Sequence, residues 1–149
     1  GDHRDLHLSI RRQRQMCIRD SLDILQENLQ NPLLIRWFEI NLLTVSGFLP
    51  ELYNCLISGE ELDEGDHLFS SVNGGLVDKK YATSTDSYIP IDKNSIKALR
   101  YLSNNGWPEV NKINFGSNSL DKLKIILRKY IQTITNSQIN SEKFLSRIF

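Results

Sequence analysis

Apolar residues recur at helical spacing in three stretches of this chain and lose that spacing between residues 51 and 91. The first stretch, PLLIRWFEINLLTVSGFLP, carries Leu33, Leu34, Trp37, Phe38, Ile40, Leu42, Leu43 and Val45. A helix apolar almost all round belongs at the centre of a fold. Asn31 is a good N-cap ahead of Pro32, Gly47 a natural stop, and Pro50 blocks continuation. Arg36 and Glu39 are its polar exceptions, expected to reach solvent or a helix-end partner. Upstream, Leu22, Leu25 and Leu29 read as the end of an earlier helix.

Asp92 or Asn94 caps a second stretch, SIKALRYLSNN, whose Ile96, Leu99 and Leu102 form one face and which Gly106 ends. Trp107-Pro108 starts a loop. Ser117 or Ser119 opens the third, with Leu120, Leu123, Ile126, Leu127, Tyr130, Ile131 and Ile134 in one stripe and Lys122, Lys124, Arg128 and Lys129 opposite. A short helix, SEKFLSRIF, follows Asn140. Between residues 51 and 91, HLFSS and GGLV predict short strands joined through Asn73-Gly74, a hairpin signal. The sum is mainly α, about five helices with a small β/loop insert over roughly 51–91.

Residues 1–21 follow neither period. They hold five arginines and no lysine, whereas lysine outnumbers arginine from residue 22 onward. The string RRQRQMCIRDS resembles translated sequencing-adapter read-through, so residues 1–21 are expected to be non-native and irregular, and residues 22–149 to form the domain. Setting them aside removes five of eighteen basic and three of eighteen acidic residues and leaves thirteen against fifteen. It also removes Cys17, so Cys55 is the one remaining thiol. Composition therefore exerts no general pull towards nucleic acid or anionic lipid. No apolar run approaches the roughly 18 residues of a membrane span.

Candidate chemistry is sparse. Cys55 and His67 make a nucleophile–base pair only if the fold joins them, and no orienting third group is evident. The acidic cluster Glu60, Glu61, Asp63, Glu64 and Asp66 lacks calcium-loop spacing and reads as a solvated loop. Gly74-Gly75 has no phosphate-cradle context. For binding, the strongest signal is basic: Lys79, Lys80, Lys122, Lys124, Arg128, Lys129, Lys143 and Arg147, with Tyr81 and Tyr88 near the first pair as stacking partners.

RWFEINLLTVSGFLPELYNC, FSSVNGGLV and LKIILRKYIQTITNSQINSEKFL, in that order and spacing, resemble the C-terminal part of the RecO family of bacterial recombination mediators. The resemblance implies a non-enzymatic, cytoplasmic, nucleoid-associated protein of DNA repair. It would bind single-stranded DNA, single-strand-binding protein and RecR, anneal strands and help load the recombinase. The implied fold is a RecO-like helical domain with a zinc-finger-like insert, without the family's N-terminal OB-fold. Aligned on Phe69, Ser70, Gly74 and Gly75, the family's four zinc-ligand places fall on Cys55, Ser58, Asp78 and Tyr81. A structural zinc wants four Cys or His ligands, so no zinc is expected, and Leu68, Phe69, Val72, Leu76 and Val77 must hold the insert by local packing as the least stable part. The alternative is a helical protein–protein interaction module without DNA binding.

Overall fold

The computed structural model describes residues 19–26, 28 and 30–135. Residues 19–26 form α1, so residues 19–21, grouped above with the foreign segment, are helical and continuous with residues 22–26. The short helix expected after Asn140 lies outside the described residues, as do Lys143 and Arg147.

α2 (Pro32–Val45) begins where the cap signal places it: the Asn31 side-chain oxygen accepts from the N–H groups of Leu33 and Leu34, at 3.0 and 3.4 Å. Leu34 and Ile40 are fully buried, which makes this the central helix. Arg36 does not reach solvent as expected, and Glu39 does so only in part. Arg36 is buried, and its Nη2 pairs with Glu39 Oε1 at 3.1 Å one turn along the same helix. Their second atoms, Arg36 Nη1 and Glu39 Oε2, are buried without a hydrogen-bond partner among the described residues. Both stand among the packed positions of α2, so these charges turn to each other.

α3 (Lys93–Asn104) is capped by Asp92, whose carboxylate accepts from the Ser95 N–H at 2.9 Å; Asn94 lies inside the helix. Trp107-Pro108, read as a loop, opens a short helix, α4 (Trp107–Val110), because a proline in a first turn lacks only an N–H that has no intrahelical partner. Trp37 holds it down: its ring lies 5.7 Å from that of Trp107, and its indole N–H donates to the Asn105 carbonyl at 3.0 Å. α5 (Ser117–Thr135) buries Leu123, Ile126, Leu127 and Tyr130, and α2, α3 and α5 pack against one another.

The insert contains an antiparallel sheet of three strands in the order β2-β1-β3: β1 (His67–Ser70), β2 (Gly75–Val77) and β3 (Tyr88–Ile91). Its hairpin turns through four residues, 71–74, not through Asn73-Gly74 alone, and the Gly74 N–H donates back to the Ser70 carbonyl at 2.9 Å. β3 carries no sequence signal because Pro90 interrupts it; on this edge strand, opposite Leu68, the missing N–H is tolerated. Phe69, Leu76, Val77 and Ile91 join the helices in a single hydrophobic cluster. Val72, expected to pack, stands 75% exposed at the hairpin tip.

Candidate nucleic-acid interface

At roughly 100° per residue, α5 separates the cations that the sequence set opposite its apolar stripe. Lys122 lies on the flank facing α3, where its Nζ pairs with the Asp92 carboxylate. Lys129 shares that flank by spacing. Lys124 lies on the other flank, near enough to Glu39 to act on its carboxyl, and Arg128 follows it one turn on. Between the flanks stand Asp121 and Ile125, the latter 61% exposed. Lys79 and Lys80 stand apart, on a 3-10 turn (Lys79–Tyr81) closing β2, where Lys80 bonds to Asp78 through both its N–H (3.0 Å) and its ammonium (3.8 Å). The structure thus brings the six expected cations among the described residues to separate surfaces, two along α5 and one on the insert.

A further basic row was passed over in the sequence. Lys93, Lys97 and Arg100 stand at i, i+4 and i+7 on α3, within about 60° of one another around the axis. Lys93 and Lys97 both bind Glu64 Oε1, the former at 3.2 Å. Hydrogen bonds and charge from Lys97 and Lys93 hold the Glu64 carboxyl below its ordinary range. Arg100 Nε–H donates to the Leu52 carbonyl at 2.8 Å, and its guanidinium lies 4.7 Å over the Tyr53 ring. The acidic loop is therefore only partly solvated: Glu64 sits on the lysines, and Asp66 accepts the Lys93 N–H at 2.9 Å. The spacing is plain in KNSIKALR, but reading α3 for its apolar face alone hides it.

The four positions aligned with zinc ligands do come into two adjoining turns. In the first, the Gly59 N–H donates to the Cys55 carbonyl at 2.8 Å, and Cys55 and Leu62 bond across it to Glu60 and Tyr53. The Cys55 sulfur is buried and accepts the Asp78 N–H at 3.4 Å from the second turn. Burial pushes the thiol up, but the N–H groups of Ser58, Asp78 and Ile57 outweigh it and hold the thiol below its ordinary value. The other three side chains lie in the same two turns but are of different chemistry. The Asp78 carboxylate caps its own 3-10 turn, and the Tyr81 hydroxyl donates to Glu60 at 3.3 Å. One sulfur with a hydroxyl, a committed carboxylate and a phenol does not fit a tetrahedral zinc site. Among the described residues no group of three or more His, Cys, Asp or Glu is placed to hold a metal ion. His67 is buried apart from the thiol's contacts, its Nε2–H donating to the Asp63 carbonyl at 2.8 Å.

The family model described as "Recombination protein O C terminal" matches residues 18–143. The chain belongs to the RecO family. It is 30% identical over 118 residues to a DNA repair protein RecO from Dehalococcoides mccartyi strain 195, covering 79% of this chain and 46% of that protein. A DNA repair protein RecO from Desulforamulus reducens is 25% identical over 117 residues, 78% of this chain and 46% of its own length. One from Roseiflexus is 28% identical over 116 residues, 78% and 41%. The chain therefore spans about half the length of the curated RecO proteins it matches. No solved structure matches it. The RecO match takes in α1 to α5, the sheet and the two turns around Cys55. No helix among the described residues is long and apolar enough to cross a membrane.

Proposed function

We infer that this chain acts in DNA repair and recombination as the helical C-terminal part of a RecO protein, by binding single-stranded DNA and repair partners and not by catalysis. The observation that carries this reading is the family match along residues 18–143. Structural support comes from exposed or half-buried cations on α3, α5 and the 3-10 turn, some beside Tyr53 and Tyr81, a pairing suited to phosphates and stacked bases. Catalysis has little to draw on, since Cys55 and His67 make their hydrogen bonds to different neighbours. RecR and single-strand-binding protein are the expected protein partners, strand annealing and recombinase loading the expected outcome, and the bacterial cytoplasm beside the nucleoid the expected place. The insert works without zinc; one equivalent of zinc per purified chain would overturn that part.

A salt titration tests the DNA reading. Affinity of the 149-residue chain for single-stranded oligonucleotides should fall linearly on a log–log plot, by about 0.7 for each phosphate neutralised. Binding to RecR with no affinity for DNA at low salt would replace this reading with a protein-interaction module.

A further inference from the structure

The row on α3 does not lie on a flat surface. Lys93, Lys97 and Arg100 converge with Asp63, Glu64 and His67 on a shallow open depression whose free space, ≈ 10 Å³, is that of a single water. That is far below the roughly 300–1,000 Å³ that encloses a drug-sized ligand, so the depression offers a charged surface and not an enclosed pocket. His67 adds to its wall a ring that is only 5% exposed and whose Nδ1 has no hydrogen-bond partner among the described residues. The depression already holds an anionic oxygen: Glu64 Oε1 bridges both ammonium groups, as a phosphate oxygen would. The Glu64 side chain is nevertheless 61% exposed and belongs to a loop, so it can leave without unpacking the core.

We propose that this depression binds a phosphodiester of single-stranded DNA, and that Glu64 occupies it in the free protein as an intramolecular competitor. The proposal rests on the DNA-binding reading above and adds a place and a regulation to it. A backbone phosphate entering between Lys93 and Lys97 displaces the carboxylate, and the next nucleotide meets the Arg100–Tyr53 stack, where a base finds a flat partner. Lys122 extends the path past the start of α3, because it is held to Asp92, the residue just before Lys93. The remaining carboxylate on the wall, Asp63, touches none of the three cations. Asp66 is committed to the Lys93 backbone N–H.

Fluorescence anisotropy with a labelled oligo-dT tests this on the 149-residue chain, with thermal melting to confirm that each variant is folded. Glu64→Gln should bind about three- to tenfold tighter at low salt, since it releases two exposed ion pairs. Glu61→Gln removes the same charge from the same loop without touching α3 and should change little. Lys93→Gln/Lys97→Gln should weaken binding and make the salt dependence shallower by about 0.7, the share of the one phosphate held between them. In that background Glu64→Gln should no longer help. Equal gains from Glu64→Gln and Glu61→Gln, or a gain that survives loss of both lysines, would overturn the proposal while leaving DNA binding intact. Failure of both the parent chain and Glu64→Gln to bind oligo-dT would overturn the DNA-binding reading itself.

Discussion

Gly74 and Gly75 are neighbours held by different constraints. Gly74 closes the hairpin at φ +72, where an L side chain is strained, and a Cβ there would stand 2.5 Å from the Tyr130 hydroxyl. Gly75 has no such backbone demand, but a Cβ would meet the Glu51 backbone oxygen at 2.8 Å. That oxygen accepts the Leu76 N–H, so it cannot retreat without breaking a bond of the insert. Gly75→Ala should therefore cost about 1–3 kcal/mol, the usual range for overfilling a tight site, read as a lower urea midpoint with unchanged slope. An unchanged midpoint would mean that the strand and the Glu51 segment separate freely. Glu39 offers a second residue-scale test. Burial pushes its carboxyl from 4.5 up to about 7, against the pull of Arg36 and Lys124. The folded state then binds this proton more tightly than the unfolded one. The group's stabilising share is complete below pH 4.5, falls as pH rises to about 7, and is level beyond. Full burial would make the loss about 3 kcal/mol; with the side chain 21% exposed, about 2 kcal/mol is expected. Glu39→Gln should gain on the parent by that amount between pH 5 and pH 8, measured by urea denaturation. Parallel pH profiles would refute the burial argument.

At the scale of elements, chain-local signals were legible and signals that need a neighbour were not. Asn31-Pro32 and Asp92 mark helix starts within a few bonds of themselves, and both caps form. α4 was hidden because Trp107-Pro108 reads as a break, while the contact that steadies it comes from Trp37 on another helix. β3 was hidden because Pro90 counts against a strand until its edge position is known. The candidate site divides the same way. The cations of α5 are legible one by one, but Asp92 and Glu39, which neighbour Lys122 and Lys124 on opposite flanks, lie 30 and 85 residues away in sequence. Asp92 joins several of these elements, capping α3 while receiving Lys122 from α5. The Lys122 ammonium and the Ser95 N–H hold its carboxyl below the ordinary value, so its support is present above pH 3.8 and lost as pH falls through the folded value. Asp92→Ala should cost about 1 kcal/mol at neutral pH, the usual loss of an N-cap, and the deficit should shrink in acid. A deficit independent of pH would assign the effect to packing.

Across the whole molecule the insert and the helices share one core. Leu52, Cys55, Leu62, Phe69, Leu76, Val77 and Ile91 belong to the same buried cluster as Leu34, Ile40, Leu99 and Leu127. Phe69 meets Tyr130 edge-on at 5.5 Å, and the Tyr130 hydroxyl donates to the Phe48 carbonyl at 3.0 Å, which joins β1, α5 and the loop after α2 at one point. An insert held only by its own side chains would be the first part to open. This one gives its largest apolar residues to the common core, so opening it exposes the inner faces of α2 and α5 as well. The two should unfold together. Native-state hydrogen exchange tests this through the Leu76 amide, which is bonded to the Glu51 carbonyl at 2.9 Å, against the amides of Leu99 and Leu127 in the helices. All three should exchange at the free energy of global unfolding and respond equally to denaturant. Leu76 exchanging several kcal/mol more readily, with little denaturant dependence, would show a separately opening unit. In a single cooperative unit, a ligand held between α3 and the acidic loop should slow exchange at Leu76 and Leu127 alike, because binding to the folded state stabilises every part that opens only with the whole.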